Sequence, residues 1–476
     1  MTAPDFSPEG FARTLERVSR MAADYLRDLP HREAFRRPPD DVIRRFEAAA
    51  LPREGAPAEV ILADLEHDVL PYSLGIGHPR WWGYLRASPS PMGMAADLLA
   101  STMNNNCSGS AQIATYVEMT VVRWLAELVG FPREAGGILL SGGSAANFVA
   151  LAAMREAKLP GTRQRGLRGL ERAPVIYVTA ETHSCIRRAV DLLGVGDDAL
   201  RLLPTDDAFR MDPGALAAAI REDRGAGRLP LCVVGTAGTV NTGAVDPLSR
   251  LRDIARAEDL WFHVDGAYGA VGAALPELAA HYEGMADADS LTVDPHKWLY
   301  VPYEAGGLLV KDRNALTRAF ATKATYLEVA DTDYFSGPLW FHQQGPQLSR
   351  AFRALKVWAV MREIGLEGYR ALWRHDLTTA AELRRLVAEH PRLELMGPSS
   401  LSIVCFRYVP RAGDANRLNR RLVDRIQQDG RIFVSATTVG GLACLRAAIL
   451  NFRSGSDDAR MAVEVVAELG ASLEGA

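Results

Sequence analysis

The chain has 476 residues, 48% hydrophobic and 24% charged, with a formal net charge of −4. That size and balance describe a globular protein of two or three domains with an ample core. They exclude a nucleic-acid-binding tail, since no block of like charge is long enough, and no apolar run approaches membrane-spanning length. Residues 1–8 show no basic segment leading into an apolar core, so no signal peptide is visible. Cys107, Cys185, Cys232, Cys405 and Cys444 are widely spaced and odd in number, which argues against a disulfide framework and for a reducing, cytoplasmic setting.

In chain order, residues 11–29 and 40–50 read as amphipathic helices, the second preceded by Asp40 and Asp41 as an N-terminal signal. The stretch Leu51–Pro71 is Pro-containing and then helical, and His78–Tyr84 is aromatic and extended. From about 92 to 310 helix and strand alternate. Ala114–Leu128 carries Val117, Val121, Leu125 and Leu128 on one face. Strand-like runs follow at Pro174–Thr179, Leu231–Thr236, Trp261–Val264, Ser290–Val293 and Gly307–Val310. Between them Asp212–Ile220 is helical, with Asp212 as cap and Pro213 in first position. This alternation predicts an α/β fold with a mainly parallel sheet covered on both faces. Helices are then expected at Leu348–Ile364, Thr378–Glu389 and Asn416–Asp429, and strands at Leu401–Tyr408, Arg431–Ala436 and Cys444–Leu450. A last helix follows Ser456-Asp457-Asp458, and together these make a smaller α+β unit.

The chemistry lies at the ends of the strand-like runs. Lys297 follows Ser290–Val293 in Asp294-Pro295-His296-Lys297-Trp298, and Asp265 ends His263-Val264-Asp265. An amine and a carboxylate so placed suit pyridoxal phosphate, the amine holding the aldehyde as a Schiff base and the carboxylate keeping the pyridine nitrogen protonated. Ser141–Asn147 is small and Gly-rich before a helix, a form that closes backbone N–H groups on a phosphate; a plain helix-capping turn is the alternative. His183 lies past the strand Pro174–Thr179, where open α/β sheets bind ligands, and can stack on a flat ring. The small hydroxyl residues of Thr236-Ala237-Gly238-Thr239 suit a ring or phosphate, or merely a turn. His263, Asp265 and His296 would be the members of a metal site, but their spacing fits none of the usual patterns. No metal is expected.

Taken in this order, the residues resemble the group II pyridoxal-phosphate-dependent amino-acid decarboxylases, the fold-type I family of aromatic-L-amino-acid, tyrosine, histidine and glutamate decarboxylases. The likeness spans about residues 70–455 and is carried by His78–Tyr84, Gly142–Asn147, His183, Thr236–Pro247, His263–Tyr268, Asp294–Trp298, Thr325-Tyr326-Leu327, Arg350–Lys356 and Leu445–Arg453. It implies a helical N-terminal segment (1–80) embracing a second copy in a homodimer, a large cofactor-binding α/β domain (81–345) and a small α+β domain (346–476).

The resemblance also assigns roles. Lys297 is the Schiff-base lysine, Asp265 the partner of the pyridinium, Ala267 the small residue against the ring and His183 the stacking ring. Gly143, Ser144, Ala145 and Asn147 belong to the phosphate cup, Thr239 touches the cofactor, and His296 lies beside the phosphate. Tyr326, on a mobile loop around Ala321–Gly337, is the proton donor to Cα. Tyrosine there goes with simple decarboxylation, phenylalanine with oxidative aldehyde formation. Leu74, Trp81, Trp82 and Asn106 are expected to shape the substrate pocket.

The implied activity is decarboxylation of L-amino acids, aromatic ones first. An aldehyde synthase or a decarboxylase of a non-aromatic amino acid remains open, as do, further off, an aminotransferase and a cofactor-binding scaffold without turnover. Ala146 stands where many members have a phosphate-binding serine. Asn104–Gln112 lacks the aromatic residues and the Ser-Pro of aromatic-specific members, and Leu74 replaces their threonine.

Overall fold

The computed structural model describes residues 7–322, 334–398 and 400–475. A seven-stranded sheet forms the larger layer: β1 (Gly136–Leu140), β2 (Pro174–Thr179), β3 (Leu200–Leu203), β4 (Leu229–Thr236), β5 (Trp261–Asp265), β6 (Ser290–Val293) and β7 (Gly306–Val310). Their order is β1-β7-β6-β5-β4-β2-β3. The pairs β3–β2, β2–β4, β4–β5 and β5–β6 are parallel, and β7 alone runs against both its neighbours. Alternate side chains serve opposite faces. Val233, Phe262, Val264 and Leu291 join the core under the helix Ile113–Leu128, while Cys232, Val234, Trp261 and Leu308 join the core under the helix Gly143–Lys158. Both faces are covered, so these strands read as unbroken apolar runs. β3 escaped the sequence reading because it is a four-residue edge strand with a half-exposed start.

A second, antiparallel sheet holds β8 (Leu393–Leu395), β9 (Ile403–Tyr408), β10 (Ser435–Val439) and β11 (Leu442–Ala448) in the order β10-β11-β9-β8. The expected strands at Arg431–Ala436 and Cys444–Leu450 are displaced, for two physical reasons. Gly440 and Gly441 both take positive φ, 56° and 81°, and close β10 onto β11 in a two-residue hairpin. Residues 431–434 are engaged elsewhere: Phe433 bridges Trp81 in parallel, its N–H donates to Arg80 O, and Trp82 N–H donates to Phe433 O. Ala448 N–H donates to Trp82 O and Ser88 N–H to Leu450 O, so residues 81–88 run along the second sheet.

The two helices expected at Leu348–Ile364 and Thr378–Glu389 are one helical path, Arg353–Glu389, broken at Gly365 where φ is 64°. Its first part packs on the helix Pro91–Met103 and its last on the helix Ser456–Glu474. The N-terminal helices Pro8–Asp28, Asp40–Glu47 and Ala58–Asp64 leave Phe11, Phe46, Val60 and Ile61 exposed. Asp40 and Asp41 lie inside the first turn of their helix, with Pro39 in the cap position. Among the described residues no helix is long and apolar enough to cross a membrane.

Candidate active site

β4, β5 and β6 end side by side, and the loops beyond them wall a cavity of about 440 Å³. That lies within the roughly 300–1,000 Å³ usual for small-molecule sites. Lys297, Asp265, His183, His296, Ala267, Gly143, Ser144, Ala145 and Asn147 all line it. The lysine comes from the turn after β6, which is pinned from behind: Trp298 Nε1 and Tyr300 Oη donate to the buried carboxylate of Asp376 at 2.8 and 2.7 Å, and Asn451 N–H donates to its other oxygen at 3.2 Å. Burial pushes Asp376 up to about 7 against these donors.

Lys297 Nζ sits 3.2 Å from Asp294 Oδ2, which also accepts Gly143 N–H at 2.9 Å. Burial pulls the ammonium down, but the carboxylates of Asp294 and Asp265 outweigh it and hold the lysine above its ordinary range. Asp294 thus joins the lysine turn to the start of the helix Gly143–Lys158, a role the sequence motif contained but did not reveal. Its Oδ1 is buried without a partner among the described residues.

Asp265 Oδ1 accepts Ala267 N–H at 3.2 Å, and Oδ2 accepts Asn147 Nδ2–H at 3.0 Å. Asn147 in turn accepts at Oδ1 from His263 Nε2 and Thr292 Oγ1, both at 2.7 Å. His263 Nδ1 meets Ser290 Oγ at 2.8 Å, and that hydroxyl accepts Trp261 Nε1–H at 2.9 Å. Burial lowers His263 to about 4, so it is neutral at physiological pH. Both its nitrogens are taken, and among the described residues no three metal-binding side chains converge.

These residues fit pyridoxal phosphate. At the N-terminus of a sixteen-residue helix, Gly142 has φ 156° and Gly143 follows; a Cβ at either would meet His296 Cε1 at 2.9 Å or Asp294 Oδ2 at 2.8 Å. This is a cradle that only bare backbone leaves open, and it faces an anion with helix amides. Ala267 keeps one wall shallow. His183 Nδ1 accepts Cys185 N–H at 3.2 Å, which leaves its proton on Nε2. Thr236, whose Oγ1 is buried without a partner among the described residues, also lines the cavity.

Other expectations are corrected. Thr239 does not line the cavity; its hydroxyl meets Thr242 Oγ1 at 3.0 Å and accepts Ala244 N–H at 3.1 Å, closing its own turn, whereas Thr236 does line it. Asn147 reaches the cavity, but its amide is spent on Asp265 and not on the phosphate cup. Trp81 and Trp82 are core residues: Trp81 stacks on Phe433 with centroids 5.0 Å apart, and Trp82 Nε1 donates to Ser454 Oγ. Pairing of residues 81–88 with the second sheet turns these rings inward and brings Leu85 and Arg86 to the cavity in their place. Leu74 is exposed on the N-terminal segment and Asn106 accepts Arg350 N–H; neither lines this cavity. Tyr326 lies outside the described residues.

Comparison with known proteins agrees with this geometry. The model of the pyridoxal-dependent decarboxylase conserved domain matches residues 39–409. An aromatic-L-amino-acid decarboxylase of Bacillus atrophaeus is 33% identical over 424 residues, 88% of this chain and 86% of its own. An L-2,4-diaminobutyrate decarboxylase of Rhizobium meliloti is 33% identical over 430 residues, 89% and 84% of the two chains. A solved structure of Oryza sativa TDC with PLP and tryptamine matches with a TM-score of 0.90 at 28% identity, covering 99% of this chain and 100% of that one. A fold-type I sheet that presents a lysine, an aspartate and a bare helix start to one cavity, over a match of this extent, makes the chain a member of the pyridoxal-dependent decarboxylase family, with pyridoxal phosphate as its cofactor and amino acids as its substrates.

Proposed function

We propose that the enzyme converts an aromatic L-amino acid to its amine and CO₂. The observation that carries the chemistry is the convergence of Lys297 and Asp265 on one cavity. The relative from Bacillus atrophaeus and the tryptamine-bound plant structure support the aromatic side chain. When bound, pyridoxal phosphate supplies an aldehyde for the lysine amine and a ring that takes up the electrons left behind as CO₂ departs.

The chain's own residues do the rest. Asp294 holds Lys297 Nζ at the cavity wall, and the start of the helix Gly143–Lys158 offers its amides to the phosphate. Asp265 keeps a proton on the ring nitrogen, which makes electron uptake favourable in the transition state. His183 presents a flat neutral ring with a free N–H. Tyr326, by the resemblance, donates its hydroxyl proton to Cα.

The test is a panel of amino acids with CO₂, amine, aldehyde and peroxide all measured. Amine and CO₂ in equal amounts from an aromatic substrate, absent in Lys297→Ala, is the expected result; aldehyde with peroxide would identify an oxidative synthase. A second reading, decarboxylation of a non-aromatic amino acid, is favoured by Arg86 and Glu304 on the cavity wall and by the diaminobutyrate-decarboxylating relative. Preference for a charged substrate in the same panel would establish it.

Two further features belong to this reading. The exposed apolar side chains of Leu98, Leu99, Met103 and Ile113, with those of the N-terminal helices, support a homodimer, and sedimentation at twice the chain mass tests it. Five buried cysteines, with no disulfide among the described residues, support a cytoplasmic setting.

A further inference from the structure

We infer that His263 and Asn147 are positioning residues that fix the proton affinity of the cofactor ring through Asp265. The proposal rests on the reading that Asp265 faces the pyridine nitrogen. Its structural basis is one continuous chain of buried hydrogen bonds, Trp261 to Ser290 to His263 to Asn147 to Asp265.

The direction of every bond in that chain is determined. Trp261 Nε1 can only donate, so Ser290 Oγ accepts from it. Asn147 turns Nδ2 to Asp265, and its Oδ1 can only accept, so the neutral imidazole carries its proton on Nε2, donates it to Asn147 Oδ1 and accepts at Nδ1 from the Ser290 hydroxyl. Thr292 Oγ1 donates to the same oxygen. An ionised Asp265 can only accept, and Asn147 Nδ2 faces it at 3.0 Å. With two donors on its oxygen and two acceptors, Asp265 and Cys185, at its nitrogen, the carboxamide cannot flip without losing four contacts.

The consequence for Asp265 is directional. A carboxylate with one fixed donor on each oxygen, Ala267 N–H and Asn147 Nδ2–H, is held in one plane. Remove His263, and only Thr292 Oγ1 still holds the carboxamide oxygen, so the amide donor to Asp265 is held less firmly and the carboxylate is freer to rotate away from the ring nitrogen.

The experiment uses holoenzyme carrying pyridoxal phosphate labelled with ¹⁵N in the ring. The nitrogen shift is followed against pH without substrate, together with steady-state kinetics. In His263→Leu and Asn147→Leu the ring nitrogen is expected to deprotonate about one to two pH units lower than in the wild type. The same variants should lose about 10–100-fold in kcat with KM little changed, the scale on which outer-shell partners act. His263→Gln, which restores a donor toward Asn147, recovers the wild-type titration. A ring nitrogen that titrates normally in both leucine variants overturns the proposal. Should neither accumulate folded, Ser290→Ala carries the test, since it removes the donor that sets the imidazole tautomer; a wild-type titration there overturns the proposal equally. Absence of the visible absorbance of the Lys297-bound cofactor in the wild-type protein would instead defeat the underlying reading.

Discussion

At Asp265 each carboxylate oxygen already has one backbone or amide donor, and neither has a lysine or arginine in hydrogen-bond reach. Among the described residues its one close cation is the Lys297 ammonium, felt through space and not through a hydrogen bond, so the carboxylate edge stays available to a cationic ring. Asp265→Ala is expected to lower kcat about a hundred- to a thousandfold, the scale of one preorganised electrostatic partner, with thermal stability of the unloaded protein little changed. Tyr326→Phe is expected to divert product from amine to aldehyde, read as peroxide per CO₂; an unchanged ratio removes the proton-donor role.

Residues brought to the cavity by a strand end were legible from the sequence, because strand and loop leave a local pattern: Lys297, Asp265, His183 and the glycines after β1. Those whose role depends on a partner far along the chain were not. Asn147 looked like a phosphate ligand because it follows Gly143-Ser144, yet the first helical turn rotates its side chain to β5. Asp294 looked like motif filler because its two contacts, Gly143 N–H and Lys297 Nζ, come from different elements.

Among elements, the loop after β6 owes its position to Asp376 on the long helix Arg353–Glu389, and the end of β1 to a buried ion pair. Glu118 Oε1 accepts Leu139 N–H at 2.9 Å and meets Arg350 Nη2 at 2.5 Å, while the same guanidinium donates to Cys107 O and Leu139 O, both at 2.7 Å. Glu118→Gln leaves that guanidinium buried without its counter-charge and is expected to destabilise by about 3–5 kcal/mol in denaturant unfolding.

Asp376 yields a prediction with a definite sign. Its folded pKa of about 7 lies above the ordinary 3.8, so between those values the folded state holds a proton that the unfolded state has lost. Stability from this group falls as pH rises through that window and is lowest above about 7. Asp376→Asn should flatten that slope in urea unfolding series from pH 4.5 to 7.5. His263 works in the opposite sense: its folded pKa near 4 takes stability away as pH falls from about 6.5. Element type was recoverable wherever burial is two-sided or caps are strong. The register of β10 and β11 was not, because the Gly440-Gly441 hairpin and the pairing of Phe433 with Trp81 compete for the same run of apolar residues.

At the scale of the whole molecule, the cavity is assembled from both ends of the chain. The large sheet supplies the lysine, the aspartate and the anion cradle, whereas Leu85 and Arg86 reach the cavity on a segment held by Phe433, Ala448 and Leu450. That division was hidden in the sequence: residues 81–88 are apolar and aromatic like the rest, and only the partner Phe433, some 350 residues later, declares which sheet they join.

This long-range pairing also sets an order of events during synthesis. A ribosome adding about 5–20 residues per second needs roughly 20–70 s to travel from Trp82 to the strands that cover it. Through that interval the nascent chain carries two adjacent indoles with no native surface to rest on, and no vessel for the vitamin can be closed. Chaperone occupancy should therefore peak on ribosomes still short of Phe433, and capture of the vitamin should be a post-translational event.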